Sequence, residues 1–297
     1  MTCFTGLSAF PITPASPDGR VDIAALRALV APLAAAGVDS IGLLGSTGTY
    51  AYLSRGERRR ALDAALDEAN GRVPILVGVG ALRTDEAVGL AQDARAAGAA
   101  AGLLAAVSYT PLTDEEVFEH FSAIATGSGL PICIYDNPGT THFRFTPSLV
   151  GRLAALPGIA ALKSPAPEAA AVADHLDALR RAVPPTFRLG FSGDWNAAEA
   201  LLAGGEAWYS VAAGLLPEPC LAILAAARAG EAARARALNA RMQPLWDLFR
   251  EHSSLRVGYA AARILGLCRA DPPRPILPLP PAVQDRVADV LRGLDCA

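Results

Sequence analysis

The sequence predicts an α/β chain folded as a (β/α)8 TIM barrel with a C-terminal three-helix appendix. Three observations predict it. Short apolar runs bounded by glycine alternate with longer Ala/Leu/Arg stretches of helical period. The alternation repeats every ~25 to 30 residues. Eight strand candidates can be counted before the strand signal stops near residue 229. Eight alternations of strand and helix in one chain close as a parallel barrel with its helices outside.

Residues 6–12 open the series as an apolar run, and Asp22 is placed to cap the helix that follows. Residues 40–45 form the second strand and end in the turn Gly45-Ser46-Thr47-Gly48-Thr49, after which Ser54 with Glu57 three residues on reads as a helix start. Residues 75–79 are the third strand, with Thr84 as the expected cap of the next helix. Residues 102–107 precede Thr113 and Glu116, a second capping pair. Residues 132–135 end in Tyr135, and Thr146 with Pro147 at the first helical position starts the helix beyond it. Residues 159–163, 188–191 and 207–211 complete the barrel. Thereafter residues 232–251, 255–267 and 281–294 read as three helices, with a Pro-rich connector over 271–281. The expected division is 1–229 for the catalytic barrel and 230–297 for a helical extension of the same domain, since ~70 residues bury little alone.

Composition excludes several classes. Of 297 residues 52% are hydrophobic and 19% charged, with a formal net charge of −3, so neither nucleic acid nor an anionic membrane surface is an expected partner. No run approaches the ~18 apolar residues needed to span a bilayer, and the N-terminus lacks a basic-then-apolar pattern. Cys3, Cys133, Cys220, Cys268 and Cys296 are scattered, odd in number and never at metal-ligand spacing, which reads as cytoplasmic and reduced. The run Glu57-Arg58-Arg59-Arg60 is expected to be a solvated helix face. Gly78-Val79-Gly80 lacks the third glycine of a dinucleotide fingerprint. His120, His175 and His252 have no recognisable partners, and Asp194 is either a loop cap or a catalytic acid.

Lys163 is the sole lysine, in a chain where every other long cation is arginine. Charge alone can come from either residue, but only an amine can be neutral, attack a carbonyl and form an imine. The competing explanation is a GC-rich codon bias that left one lysine by chance. In a barrel of this kind chemistry sits where strands end. Lys163 closes the sixth strand, and period-two alternation places it on an inward face with Ala161 and Ile159. Tyr135 closes the fifth on the face of Cys133, the fourth runs into Ser108-Tyr109, and the 45–49 turn offers backbone N–H groups and hydroxyls suited to a carboxylate. Each feature alone has a structural reading: turn glycines make turns, hydroxyls cap helices, and tyrosines pack.

At these residues the chain resembles the dihydrodipicolinate synthase/N-acetylneuraminate lyase family of Schiff-base-forming lyases. The similarity runs from Ser8-Ala9-Phe10-Pro11-Ile12-Thr13-Pro14 into the C-terminal helices. The family's Gly-x-x-Gly turn falls on Gly45 to Gly48, its Tyr-Asn-x-Pro segment on Tyr135-Asp136-Asn137-Pro138, and its lysine on Lys163, with further matches at Ser192-Gly193-Asp194, Gly204-Gly205 and Tyr209-Ser210-Val211. The resemblance implies that Lys163 is the imine-forming nucleophile, Tyr135 the proton-transfer residue and Ser46 its hydroxyl relay, with Thr47 binding a pyruvyl carboxylate. It also implies that Tyr109 caps the site of a neighbouring subunit and that the backbone at Tyr209 lines the pyruvyl pocket. The implied partners are pyruvate or a related 2-keto acid and an aldehyde, in a homodimer or homotetramer, with no cofactor and no metal.

Departures from the family pattern limit the substrate. Thr49 stands where a glutamate is usual, Ser164 and Pro165 follow the lysine, and Pro138-Gly139-Thr140-Thr141 replaces the Pro-x-Arg-Thr whose arginine grips a substrate carboxylate. Thr140 cannot reproduce that grip, although His142 and Arg144 lie just downstream. The expected reaction is therefore C–C bond cleavage or formation between pyruvate and the aldehyde of a 2-keto-3-deoxy sugar acid. Dehydration of such an acid through the same imine, dihydrodipicolinate synthesis, and a non-catalytic keto-acid-binding barrel are the alternatives.

Overall fold

A computed structural model describes residues 3–294. Eight parallel strands close into a barrel in chain order: β1 (Gly6–Ala9), β2 (Ser40–Leu43), β3 (Ile75–Gly78), β4 (Ala101–Ala105), β5 (Ile132–Tyr135), β6 (Ile159–Pro165), β7 (Arg188–Ser192) and β8 (Ala207–Ser210). Helices α1 (Ile23–Ala36), α2 (Arg55–Ala69), α3 (Thr84–Ala97), α4 (Asp114–Ser128), α5 (Pro138–Thr141), α6 (Pro147–Ala154), α7 (Val172–Ala182), α8 (Ala197–Leu202) and α9 (Pro217–Arg228) follow the strands in turn. They are succeeded by α10 (Ala232–Arg241), α11 (Gln243–His252), α12 (Ser254–Ile264) and α13 (Pro281–Gly293). No described helix is long and apolar enough to cross a membrane.

Alternation along the strands divides the core in two. Branched residues such as Ile41, Ile75, Val77, Ile134 and Leu162 face the helices, while the barrel interior holds Ala101, Leu103, Ala105, Cys133, Tyr135, Ala161 and Tyr209. Small residues leave the interior room for a few large ones.

The capping expectations hold at Asp22, Ser54, Thr113 and Thr146, each of which accepts from a backbone N–H in the first turn. Thr84 differs: Arg83 is the cap, and the Thr84 hydroxyl instead meets His120 Nδ1 at 2.9 Å. β1 stops at Ala9 because Pro11 has no N–H for a ladder, and the last bond is Phe10 N–H to the Ser210 carbonyl. The predicted 232–251 helix is two helices, so four rather than three follow α9 among the described residues. Pro244 in the first turn of α11 removes an N–H and crowds the preceding turn, which breaks the helix at Met242. Cys296 lies outside the described residues.

A register shift at Ile132/Cys133 changes one inward face. Ile132 pairs with Ile159, but Cys133 pairs with Ala161, so Ala160 is the extra residue. Ile159 consequently packs outward with the helices, and β6 gives the interior Ala161 and Lys163, with the extra residue Ala160 partly buried against the same cluster.

Candidate active site

β6 carries Lys163 to the C-terminal mouth of the barrel, where its side chain is only 5% exposed. Its neighbours are ring faces: Nζ lies 4.1 Å from the Tyr135 ring centroid, 5.4 Å from that of Phe10 and 5.9 Å from that of Tyr209. Asp136 and Asp194 act on it through space, without an ion pair among the described residues.

Three polar groups meet beside the amine. Tyr135, paired in register with Lys163, donates its hydroxyl proton to Ser46 Oγ at 3.2 Å. Asn137 Nδ2 donates to the Tyr135 hydroxyl at 2.8 Å and approaches Ser46 Oγ at 3.4 Å. The turn that presents Ser46 and the buried Thr47 is held by left-handed residues at both ends, Leu44 at φ 55° and Thr49 at φ 53°. A Cβ at Gly48 would sit 2.9 Å from the Leu44 backbone, and one at Gly78 would overlap the Leu44 carbonyl. The turn is thus packed too closely for any side chain at these two positions.

The remaining sequence-derived residues are placed unevenly. Gly45 and Gly48 frame the turn, with a Cβ at Gly45 falling 2.8 Å from the Phe10 ring. Tyr209 is fully buried, and its whole ring enters the barrel interior, with the hydroxyl 3.7 Å from Cys133 Sγ. Burial holds that phenol far above its usual range and pushes the Cys133 thiol up to about 12. Tyr109 is 98% exposed and takes no part in this chain's own cluster. Thr140 turns its hydroxyl back to the Asn137 carbonyl at 3.2 Å, so it closes the turn of α5. His142 and Arg144 are exposed, and the charge of Arg144 acts on Asp136 and His175.

Three further residues emerge only from the structure, and for Asp194, already singled out in the sequence, the structure shows the capping role. Asn137 was legible merely as the variable position of a motif. Arg58 is not part of a solvated face: it is 7% exposed and donates to the Gly80 and Gly78 carbonyls at 3.1 and 2.8 Å. Its flanking charges pair at the surface, Arg60 with Glu57 and Arg59 with Asp63. The signal was the spacing of Arg58 with the buried Ala61, Leu62 and Ala65 on one stripe of α2. Arg58 lies 5.2 Å from the Tyr50 ring centroid, and burial pulls the guanidinium down to about 10 while pushing the Tyr50 phenol up to about 12. Asp136 is buried with an unpartnered Oδ1, which raises its carboxyl to about 6. Asp194 accepts from Trp208 Nε1 and the Ala212 N–H, both at 2.9 Å, and so clamps β8 to the turn beyond it. Burial raises its carboxyl as well.

Among the described residues no cluster of three or more His, Cys, Asp or Glu is placed to hold a metal ion. A cleft of about 870 Å³ borders Thr49 on the far side of the turn, between residues 15–22 and 269–274. Neither Lys163 nor Tyr135 lines it, and its charged residues are exposed, so the chemistry is assigned to the lysine mouth.

Comparison with known proteins agrees with that assignment. The model of the "Dihydrodipicolinate synthetase family" matches residues 3–294. A 4-hydroxy-tetrahydrodipicolinate synthase of Methylococcus capsulatus is 37% identical over 84% of this chain and 84% of its own. One from Azoarcus is 34% identical over 97% of each. The crystal structure of a dihydrodipicolinate synthase from Agrobacterium tumefaciens superposes with a TM-score of 0.96 at 56% identity, covering 98% of both chains. With the buried lysine, the phenol and the hydroxyl turn in one barrel mouth, the chain belongs to the dihydrodipicolinate synthetase family and is a lyase of that type.

Proposed function

We propose that this enzyme joins or cleaves a C–C bond between pyruvate and the aldehyde of a 2-keto-3-deoxy sugar acid, through an imine at Lys163. The observation that carries the reading is the buried amine beside Tyr135, whose hydroxyl is bonded to Ser46 and Asn137. In the cleavage direction the neutral amine adds to the 2-keto carbon, and water leaves with the former carbonyl oxygen. The protonated imine then accepts the electron pair of the breaking C3–C4 bond, while Tyr135 takes the proton of the C4 hydroxyl as the aldehyde forms. Protonation of the resulting enamine at C3 and hydrolysis of the imine return pyruvate and the free lysine. Ser46 passes protons to and from Tyr135, Asn137 fixes the phenol's orientation, and the Gly45–Gly48 turn with Thr47 holds the pyruvyl carboxylate.

The sugar-acid assignment follows from Thr140. In the family pattern an arginine here meets a carboxylated acceptor, whereas this hydroxyl is spent on the Asn137 carbonyl. Arg144, exposed and four residues downstream of Thr140, acts on Asp136 only through space and is the cation from which a replacement grip would have to come. Losing one charged hydrogen bond costs about 1.5 to 3 kcal/mol, or roughly 10- to 150-fold in use of such an acceptor. A coupled assay with pyruvate and aspartate semialdehyde should therefore give a kcat/KM well below ~10⁴ M⁻¹s⁻¹, while a panel of 2-keto-3-deoxy sugar acids releases pyruvate. Efficient turnover of the semialdehyde would restore the second reading, dihydrodipicolinate synthesis, which the names of the curated relatives favour. Product analysis separates both from dehydration of the sugar acid.

The exposed phenol of Tyr109 supports a homodimer in which each chain completes its partner's site, paired further into a tetramer. Buried free thiols at Cys3, Cys133 and Cys268 support a reducing, cytoplasmic setting.

A further inference from the structure

The polar relay explains one side of Lys163 and leaves the others unexplained. Those sides are aromatic. Phe10 and Tyr209 are 4% and 1% exposed and meet edge to face, their centroids 6.0 Å apart with an interplanar angle of 84°. With Tyr135 they set three ring faces within 6 Å of Nζ. Neighbouring strands are cut away to admit them: a Cβ at Gly42 would overlap the Phe10 ring, and one at Gly190 would crowd the Tyr209 ring. Glycine weakens a strand interior, so aliphatic filling would have been the more stable solution.

Ring faces attract a cation held within ~6 Å of the centroid, and more strongly when water is excluded. They also distinguish between two cations. An ammonium carries three N–H donors that need acceptors, which rings satisfy poorly. A protonated imine is planar, with a single N–H, and can lie against ring faces while that one bond is met by a polar group. We propose that Phe10, Tyr209 and the ring of Tyr135 form a cage that selectively stabilises the protonated imine on Lys163. The proposal rests on the imine reading above. It adds Phe10 and Tyr209 to the residues that act at the reacting nitrogen and makes no new covalent step.

The test replaces Phe10 site-specifically with mono-, di- and trifluorophenylalanine, a nearly isosteric series of progressively weaker ring faces. The readout is the pyruvate concentration at which borohydride traps half of Lys163, measured by intact mass. A stepwise rise of about 2- to 30-fold across the series is expected, the range of a single cation–π contact. Tyr209→Leu should raise it comparably, in a variant that still melts cooperatively although at a lower midpoint, because a fully buried ring is lost. A flat series with efficient trapping overturns the cage while leaving the imine standing. Failure to trap pyruvate on Lys163 in the unaltered enzyme overturns both.

Discussion

Two cations are buried at the ends of barrel strands, and they are held in opposite ways. At β3, Arg58 spends two of its nitrogens on the Gly78 and Gly80 carbonyls and rests on Tyr50. At β6, Lys163 meets ring faces, with no ion pair among the described residues. A guanidinium offers five donors in a fixed fork and suits a structural wall; an amine left without acceptors is available for bond making. On the proposed imine reading, the contrast separates a charge that stabilises the barrel from one that works in it.

Lys163→Arg erases the contrast most completely, because it converts the working cation into a second structural one. Turnover should fall by about 10⁴-fold or more in a pyruvate-release assay, since the nucleophile is gone while the charge stays. Tyr135→Phe keeps the ring face and removes the proton carrier. Its kcat should fall by about 2 to 4 kcal/mol in activation free energy with imine trapping retained; unchanged turnover would make Tyr135 a packing residue.

On the other side of the comparison, Arg58→Ala leaves two carbonyls without donors and a cavity under Tyr50. Denaturant unfolding should show a loss of about 2 to 4 kcal/mol, while pyruvate trapping at Lys163 persists. If trapping is lost in protein that remains folded, Arg58 belongs to the working site.

Most of the fold was legible because strand-forming runs and helix caps are local signals. Asp22, Ser54, Thr113 and Thr146 each capped the helix expected of them. What failed was non-local. The outward turn of Ile159 depends on a bulge against β5, and the burial of Arg58 depends on which face of α2 meets the sheet. The lysine, the phenol and the hydroxyl turn were readable as residue types at strand ends. The convergence of Asn137 with them, and the rings around Nζ, needed side-chain geometry.

Asp136 gives the smallest and most pH-selective prediction. Its neighbours are the Phe145 N–H and the charges of Arg144 and Lys163, but burial dominates and raises the carboxyl from 3.8 to about 6. Between those values the folded chain keeps a proton that the unfolded chain releases, so stability falls as pH rises through the window and the full penalty applies above it. Asp136→Asn removes the penalty. The variant should match the unaltered protein below pH ~4 and exceed it by up to about 3 kcal/mol at pH ~8. A constant offset at every pH would assign the effect to packing.

The most direct test of the contrast between the two cations is reduction with borohydride in the presence of pyruvate, followed by peptide mass mapping. The account predicts inactivation and one three-carbon adduct on Lys163, absent from Lys163→Arg and undiminished in Arg58→Ala. An active enzyme after treatment, or equal labelling of the Lys163→Arg protein, would contradict it.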